Sequence, residues 1–185
     1  MIVPVLRVLS ETYPEVQLTI LSRAFFKPFF NDFSNVVFLE ADVNHNHKGF
    51  MGVLKLAEEA NALGINAVAD LHNVIRSKII TRYLKILGKK TATLNKGRKE
   101  KKSLTRAKNK YFRQLKTTHQ RYADVFGTLG FPIELTNFKP LPKKEYNKNI
   151  LSLVGEKKKS IIGIAPFAAY KSKMYPLELI KKAIA

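Results

Sequence analysis

The chain has 185 residues, which is enough for one domain with a buried core and a short extension. Hydrophobic residues make up 45% of it, which excludes a wholly disordered chain, and the absence of cysteine excludes disulfides and thiolate metal sites. The 33 Lys and Arg residues outnumber the 14 Asp and Glu residues, and the net charge of +19 favours a polyanionic partner such as nucleic acid, an anionic membrane or a phosphorylated substrate.

The first part of the chain alternates between predicted helices and strands. Apolar residues at helical spacing predict a helix over Ile2–Tyr13, with Pro4 in the first turn, where a missing N–H costs nothing. The patterns of Val16–Ser22 and Asn35–Asp42 predict two strands, joined by a short helix or turn that Pro28 interrupts. The first predicted element is therefore a helix, and strands and helices alternate after it.

The alternation continues after a polar loop. We predict a helix from Phe50 to Gly64 and then a strand over Asn66–His72, whose apolar run suits burial on both faces. A helix over Ser77–Leu87 and a short strand over Lys90–Asn95 follow. This order predicts the α/β class with a mostly parallel sheet.

A basic run covers Lys96–Lys116, with Glu100 as its one acid, and we predict that it passes into a long helix over Leu104–Leu129. One interpretation places Arg106 and its neighbours over an anionic glycolipid or an anionic membrane face. The other is a solvated basic face with its aromatic residues packed inward, and we favour it for most of the lysines. The basic run alone does not decide between them.

In the last part of the chain, the sequence pattern predicts a Pro-rich linker, a strand over Ser160–Phe167 and a helix that begins at Pro176. The loop after this strand would lie at a carboxyl strand end, where α/β folds bind ligands, and the next helix start suits a phosphate. Lys171 or Lys173 can neutralise a diphosphate there. The alternative is an ordinary connection with solvated lysines.

Two motifs resemble the heptosyltransferases, glycosyltransferase family nine. The sequences APF at 165–167 and KMYP at 173–176 resemble the donor-site loop of that family, with Phe167 at the position of the usual glycine. The resemblance implies that Lys173 contacts the donor diphosphate, helped by backbone around Phe167 and Ala168. The candidate donor-binding residues are Pro166, Phe167, Ala168, Lys171 and Lys173.

The second motif, AVADLHNVIRSKII at 67–80, resembles the family's strand followed by Asp-x-Gln-Gly-x-x-Lys-Ser. Asp70 and Ser77 match, Arg76 takes the lysine position, and His72 with Asn73 replaces Gln-Gly. His72 and Asn73 can hydrogen-bond sugar hydroxyls just beyond a strand end, and Arg76 can pair with an acceptor carboxylate or phosphate. We interpret Asp70 as a structural helix cap. The candidate acceptor-binding residues are His72, Asn73, Arg76 and Arg106.

The resemblance implies an α/β fold with a Rossmann-like, mostly parallel sheet, the N-terminal half of a two-domain GT-B type glycosyltransferase. Residues 1–140 would form the acceptor-side domain with its first strand missing, residues 141–159 a linker, and residues 160–185 the start of the donor-binding domain. A doubly wound fold places a central strand before a helix such as the one that opens this chain. The family's catalytic Asp would lie before Met1, so we expect this chain alone to be inactive.

The implied reaction is transfer of a heptose-like sugar from a nucleotide-diphosphate donor to an anionic glycolipid of the lipopolysaccharide core, without a metal or another cofactor. We expect a cytoplasmic protein with peripheral contact to the inner membrane. One rival interpretation is a nucleic-acid-binding module built on Lys96–Lys116 with Tyr111 and Phe112, and another is a non-catalytic relative. His45 and His47 with Asp42 suggest a weak metal site, but we favour a polar loop.

Overall fold

The computed structural model describes residues 1–138, 147–154 and 162–184. The chain divides into two compact units, Met1–Pro140 and Leu141–Ala185, which are described separately below. The first unit is a mixed α/β structure, in agreement with the predicted class. None of the helices in the described ranges has the length and apolar character that crossing a bilayer requires.

Four short strands form two parallel pairs in the first unit. They are β1 (Leu18–Ser22), β2 (Val36–Glu40), β3 (Ala67–Asp70) and β4 (Lys90–Thr93). β1 pairs with β2, with Leu18 opposite Val36, and β3 pairs with β4, with Ala67 opposite Lys90. The four predicted strands of this region and their parallel direction are therefore confirmed. The prediction of one mostly parallel sheet is met only in part, because within residues 1–138 no ladder joins the two pairs.

Helices alternate with these strands as predicted. They are α1 (Val3–Thr12), a 3₁₀ helix (Ala24–Phe30), α2 (Gly49–Ala62), α3 (Ile75–Ile86), α4 (Arg98–Thr105), α5 (Thr118–Leu129) and a 3₁₀ turn (Leu135–Asn137). Gly64 follows α2 with φ of +72°, and Gly88 follows α3 with φ of +81°. Both glycines take the left-handed conformation that commonly ends a helix.

The predicted long helix over Leu104–Leu129 is wrong, because α4 and α5 are separate helices. Residues 106–116 between them are not helical, and Asn109 has a left-handed φ of +51°. The side chain of Thr117 accepts a hydrogen bond of 3.1 Å from the N–H of Gln120 and so caps the start of α5. Residues 106–116 contain several basic residues and no acid, so within this segment no oppositely charged side chains at helical spacing could stabilise a helix.

Helices cover both faces of the strands. On one face, α1 and α5 pack against alternate strand residues, which include Leu18, Ile20, Val36, Phe38 and Ala69. On the other face, α2 and α3 pack against Leu21, Leu39 and Val68. Successive strand residues point to opposite faces, so both strand pairs share the same two helical layers. Most residues of β3 are only half-buried, contrary to the predicted burial on both faces.

The described part of the second unit contains α6 (Lys148–Val154), a 3₁₀ turn (Lys171–Lys173) and α7 (Leu177–Ile184). The helix after Pro176 is confirmed, and α6 lies within the predicted 141–159 linker. The predicted strand at Ser160–Phe167 is wrong over its described part, since residues 162–168 have no regular structure. An isolated strand gains no ladder hydrogen bonds, and the described part of this unit contains no second strand. Residues 160 and 161 lie outside the described ranges.

Candidate functional site

A shallow pocket of about 490 Å³ lies at the start of α3. Its lining residues are Asn73, Val74, Ile75, Arg76, Lys78 and Arg98. Two of the predicted acceptor-binding residues, Asn73 and Arg76, thus lie in one pocket together with two further cations, and none of its described lining residues is acidic. The positive end of the α3 dipole adds to this field, because no acidic residue occupies the first turn of that helix.

Asp70 shapes the loop that leads from β3 into the pocket. This side chain is buried, and its Oδ1 accepts hydrogen bonds from the backbone N–H groups of His72 at 3.0 Å and Asn73 at 2.7 Å. The role of Asp70 is therefore structural, as we interpreted it, but the side chain turns the loop rather than capping the helix. The N-cap residue of α3 is Val74.

Asn73 connects this loop to the end of the neighbouring strand. Its side-chain Nδ2 donates a hydrogen bond of 2.8 Å to the carbonyl of Leu94, and its own φ of +46° is left-handed. Asparagine tolerates this conformation better than most residues. Because the bond to Leu94 uses one of the two amide hydrogens, Asn73 can offer its amide oxygen and its second amide hydrogen to a sugar hydroxyl.

The side chain of Ser77 stabilises the first turn of α3 by bonding to the backbone of Val74. Its Oγ accepts a hydrogen bond of 3.0 Å from the N–H of Val74 and donates one of 3.1 Å to the carbonyl of the same residue. The serine of the matched motif therefore serves the helix start. Arg76, one residue earlier, is exposed and free to project from the same turn.

Arg98 reaches the pocket because a buried arginine on another helix holds the start of α4. Only 8% of Arg121 is exposed, and its Nη1 donates to the carbonyl of Asn95 at 3.2 Å while its Nε donates to the carbonyl of Lys116 at 3.2 Å. Its Nη2 lies 2.5 Å from a carboxylate oxygen of Glu100. These three bonds join α5 to the chain on both sides of α4.

Gly97 makes room for this guanidinium. A Cβ at this position would lie 2.5 Å from Nη2 of Arg121, and the φ of Gly97 is +62°. A glycine is therefore favoured immediately before Arg98, because the backbone there is left-handed and an added Cβ would displace the guanidinium of Arg121. Sequence reasoning missed Arg121, Arg98 and Lys78, because one arginine or lysine in a strongly basic chain carries no distinguishing local signal.

Glu100 should give the unfolding free energy a dependence on acid pH. The hydrogen bond from Arg121 lowers the pKa of this carboxyl below its ordinary value of 4.5; desolvation opposes the shift, and the charges of Arg121, Arg113 and Lys116 add to it. The stability from the ionised pair is thus fully present above about pH 4.5 and is lost as pH falls through the lowered pKa.

We expect the difference in unfolding free energy between the wild type and Glu100→Gln to be constant at neutral pH and to shrink below about pH 4.5. Urea titrations at several pH values measure it. Asp42 also has a lowered pKa, chiefly through the backbone N–H of Asn46, and it is unchanged in both proteins. A difference that does not vary with pH would contradict this role for Glu100.

The remaining predicted acceptor residues do not line the pocket. His72 is exposed in the loop after β3. Arg106 is the C-cap residue of α4, and its Nε donates to the carbonyl of Asn109. The structure therefore groups Asn73 and Arg76 and leaves Arg106 outside the pocket.

The predicted donor residues all belong to the second unit. Pro166, Phe167 and Ala168 lie in its irregular stretch, whereas Lys171 and Lys173 lie in the 3₁₀ turn that precedes α7. The Nζ atom of Lys173 sits 5.4 Å from the ring centre of Tyr170, which is within cation–π range.

The two histidines of the polar loop have separate environments. His47 is buried, its Nδ1 accepts the N–H of Asp42 at 3.0 Å, and its Nε2 lies 3.1 Å from a Glu59 oxygen. These contacts place the ring proton on Nε2 and use both nitrogens in the fold. His45 is exposed and pairs with Asp42 at 3.1 Å. The described residues contain no cluster of three groups that could hold a metal ion.

We compared the chain with models of protein families, with curated proteins and with solved structures, and none of them matches it.

Proposed function

We propose that this chain is part of a sugar-nucleotide-dependent glycosyltransferase of the heptosyltransferase kind. The observation that carries the proposal is the cationic pocket beyond β3, where Asn73 and Arg76 of the matched motif meet Lys78 and Arg98. An anionic saccharide needs charged donors for its phosphate or carboxylate groups and an amide for its hydroxyls. The pocket is thus suited to the acceptor side of the reaction.

The positions of the helices support a doubly wound sheet as the underlying architecture. The 3₁₀ helix between β1 and β2 packs on the same face as α1, through Phe30, whereas α2 between β2 and β3 packs on the opposite face. Crossovers between parallel strands are right-handed, so a change of face reverses the direction in which strands are added. This reasoning orders the strands β2, β1, β3, β4 and makes β1 and β3 neighbours across an unpaired gap.

We infer that the gap between β1 and β3 corresponds to the position of the central strand in a Rossmann-like arrangement. The gap would then be the topological switch point, and ligands of open α/β sheets bind beyond the carboxyl ends of the strands at such a point. The pocket begins three residues after β3 and therefore lies in the expected place.

In the proposed reaction, a base deprotonates the acceptor hydroxyl, and the hydroxyl oxygen attacks the anomeric carbon while the nucleotide diphosphate leaves. The resemblance implies an aspartate as this base. It assigns stabilisation of the leaving diphosphate to Lys173, with Lys171 as a second cation. The part played by residues 1–138 is to hold the anionic acceptor.

Loss of either pocket arginine should weaken acceptor binding. We expect Arg76→Ala and Arg98→Ala each to raise the Kd for a phosphorylated lipopolysaccharide core oligosaccharide by about tenfold to a hundredfold, the value of one charge-assisted hydrogen bond. Isothermal titration calorimetry measures the effect. Arg82→Ala is the matched control, because Arg82 is an exposed arginine of α3 that does not line the pocket.

Equal weakening by Arg82→Ala, or equal affinity for the dephosphorylated oligosaccharide, would show that the pocket does not select the acceptor.

The rival function is nucleic-acid binding, and it has one observation in its favour. Tyr111 and Phe112 are exposed in the non-helical basic segment, and the Arg113 guanidinium lies 5.0 Å from the Tyr111 ring centre. Salt-sensitive RNA binding that is lost on neutralising residues 106–116, with no saccharide binding, would favour that rival.

A further inference from the structure

Three phenylalanines of the 3₁₀ helix Ala24–Phe30 form a cluster on the surface, which we call the aromatic patch: Phe25, Phe26 and Phe29. Their exposed fractions are 78%, 42% and 61%. The rings of Phe25 and Phe26 meet edge to face at 5.3 Å, and those of Phe26 and Phe29 lie 6.5 Å apart. Isolated exposed apolar residues are ordinary, but a contiguous aromatic cluster marks an interaction surface.

The fold holds the aromatic patch outward. Phe30, the last residue of the same helix, is buried in the core beside α1, and its ring lies 6.0 Å from that of Phe38 on β2. Pro28 lies inside the helix and restricts its backbone. Because Phe30 occupies the inward direction, the other three rings remain on the outside.

The charges around the aromatic patch indicate its partner. Arg23 precedes the helix and Lys27 lies within it, both are exposed, and residues 23–30 contain no acid. Basic side chains can keep their aliphatic stems beside an apolar surface while the charged ends reach phosphates. Aromatic rings with basic residues among them are typical of segments that enter the interface of an anionic bilayer.

We propose that the aromatic patch is a membrane-docking surface that inserts Phe25, Phe26 and Phe29 into the interface of a bilayer containing anionic phospholipid. Arg23 and Lys27 bind the lipid phosphates around the inserted rings. This surface is distinct from the basic 106–116 segment, where the sequence suggested membrane contact. The proposal does not depend on sugar transfer or on the pocket, so either can fail without the other.

Vesicle sedimentation tests the proposal. We expect the wild-type chain to bind vesicles made of equal parts of phosphatidylglycerol and phosphatidylcholine and to bind pure phosphatidylcholine vesicles far more weakly. The triple variant F25S/F26S/F29S should lower the partition coefficient on the anionic vesicles by at least about tenfold, because three rings lose their transfer into the interface. Phe112→Ser is the matched control, since Phe112 is 87% exposed and lies in the basic segment instead.

A fluorescent reporter makes the test independent of the triple variant's folding. The chain contains no tryptophan, so Phe25→Trp places a single one in the aromatic patch. Its emission should shift to shorter wavelength on anionic vesicles and be quenched by brominated lipid tails. An unshifted emission, equal binding to neutral vesicles, a larger effect of Phe112→Ser, or concentration-dependent self-association in place of vesicle binding would each overturn the proposal.

Discussion

Alanine at Gly52 should destabilise the chain by about 3 kcal/mol, as expected for overpacking in a buried site. Gly52 is buried on α2, and a Cβ there would lie 2.4 Å from the backbone carbonyl carbon and 2.7 Å from the Cα of His47. A flexible side chain could move aside, but these atoms belong to the loop backbone. The loop cannot shift freely, because the ring of His47 holds the N–H of Asp42 and a Glu59 carboxylate.

Urea unfolding followed by circular dichroism measures the loss. Gly127→Ala is the matched control, because Gly127 is also helical and the nearest atom to its added Cβ is Pro132 Cα at an ordinary 3.8 Å. That control should be neutral or gain up to about 1 kcal/mol from the better helix propensity of alanine. If Gly52→Ala proved as stable as Gly127→Ala, the close approach of the His47 loop to α2 would be disproved.

Arg121→Ala should cost about 2–3 kcal/mol of unfolding free energy. The substitution leaves the carbonyls of Asn95 and Lys116 without their donor and removes the partner of Glu100. The buried arginine supplies three bonds in three directions from one planar group. Lysine cannot reproduce that geometry, so Arg121→Lys should recover little of the loss.

Chemical denaturation again supplies the measurement, with Lys116→Ala as the control. The Lys116 side chain forms an exposed pair with Asp124 at 2.7 Å, and such a pair contributes at most about 1 kcal/mol. Arg121→Ala should also weaken anionic saccharide binding under folding conditions, because the start of α4 and hence Arg98 lose their support. Unchanged stability together with unchanged binding would show that Arg121 does not hold this part of the chain.

The pocket residues fall into two groups according to how they could be found. Asn73 and Arg76 were found from the sequence, because both follow a recognisable strand within one short motif. Arg98 joins them from more than twenty residues away. Its position depends on the bond between Glu100 of α4 and Arg121 of α5, which no local sequence pattern predicts.

The sequence by itself determined the order and type of the elements from α1 to β4. Helical spacing of apolar residues located α1, and glycines at 64 and 88 marked where α2 and α3 end, because each of these signals acts within a few residues. The parallel direction of the strands followed from the helical connections between them. These features depend on backbone preferences and on which face of an element is apolar.

Only the tertiary structure decided the features that depend on distant partners. The strand predicted at Ser160–Phe167 has the right composition but no neighbour among the described residues of its unit, and a strand requires one. The basic segment is no longer helical from Arg106 onward, where α4 ends. The guanidinium of Arg121 bonds Glu100 of α4 before this segment and the carbonyl of Lys116 at its end. The burial of Arg121 depends on contacts between α4 and α5, which local sequence patterns do not encode.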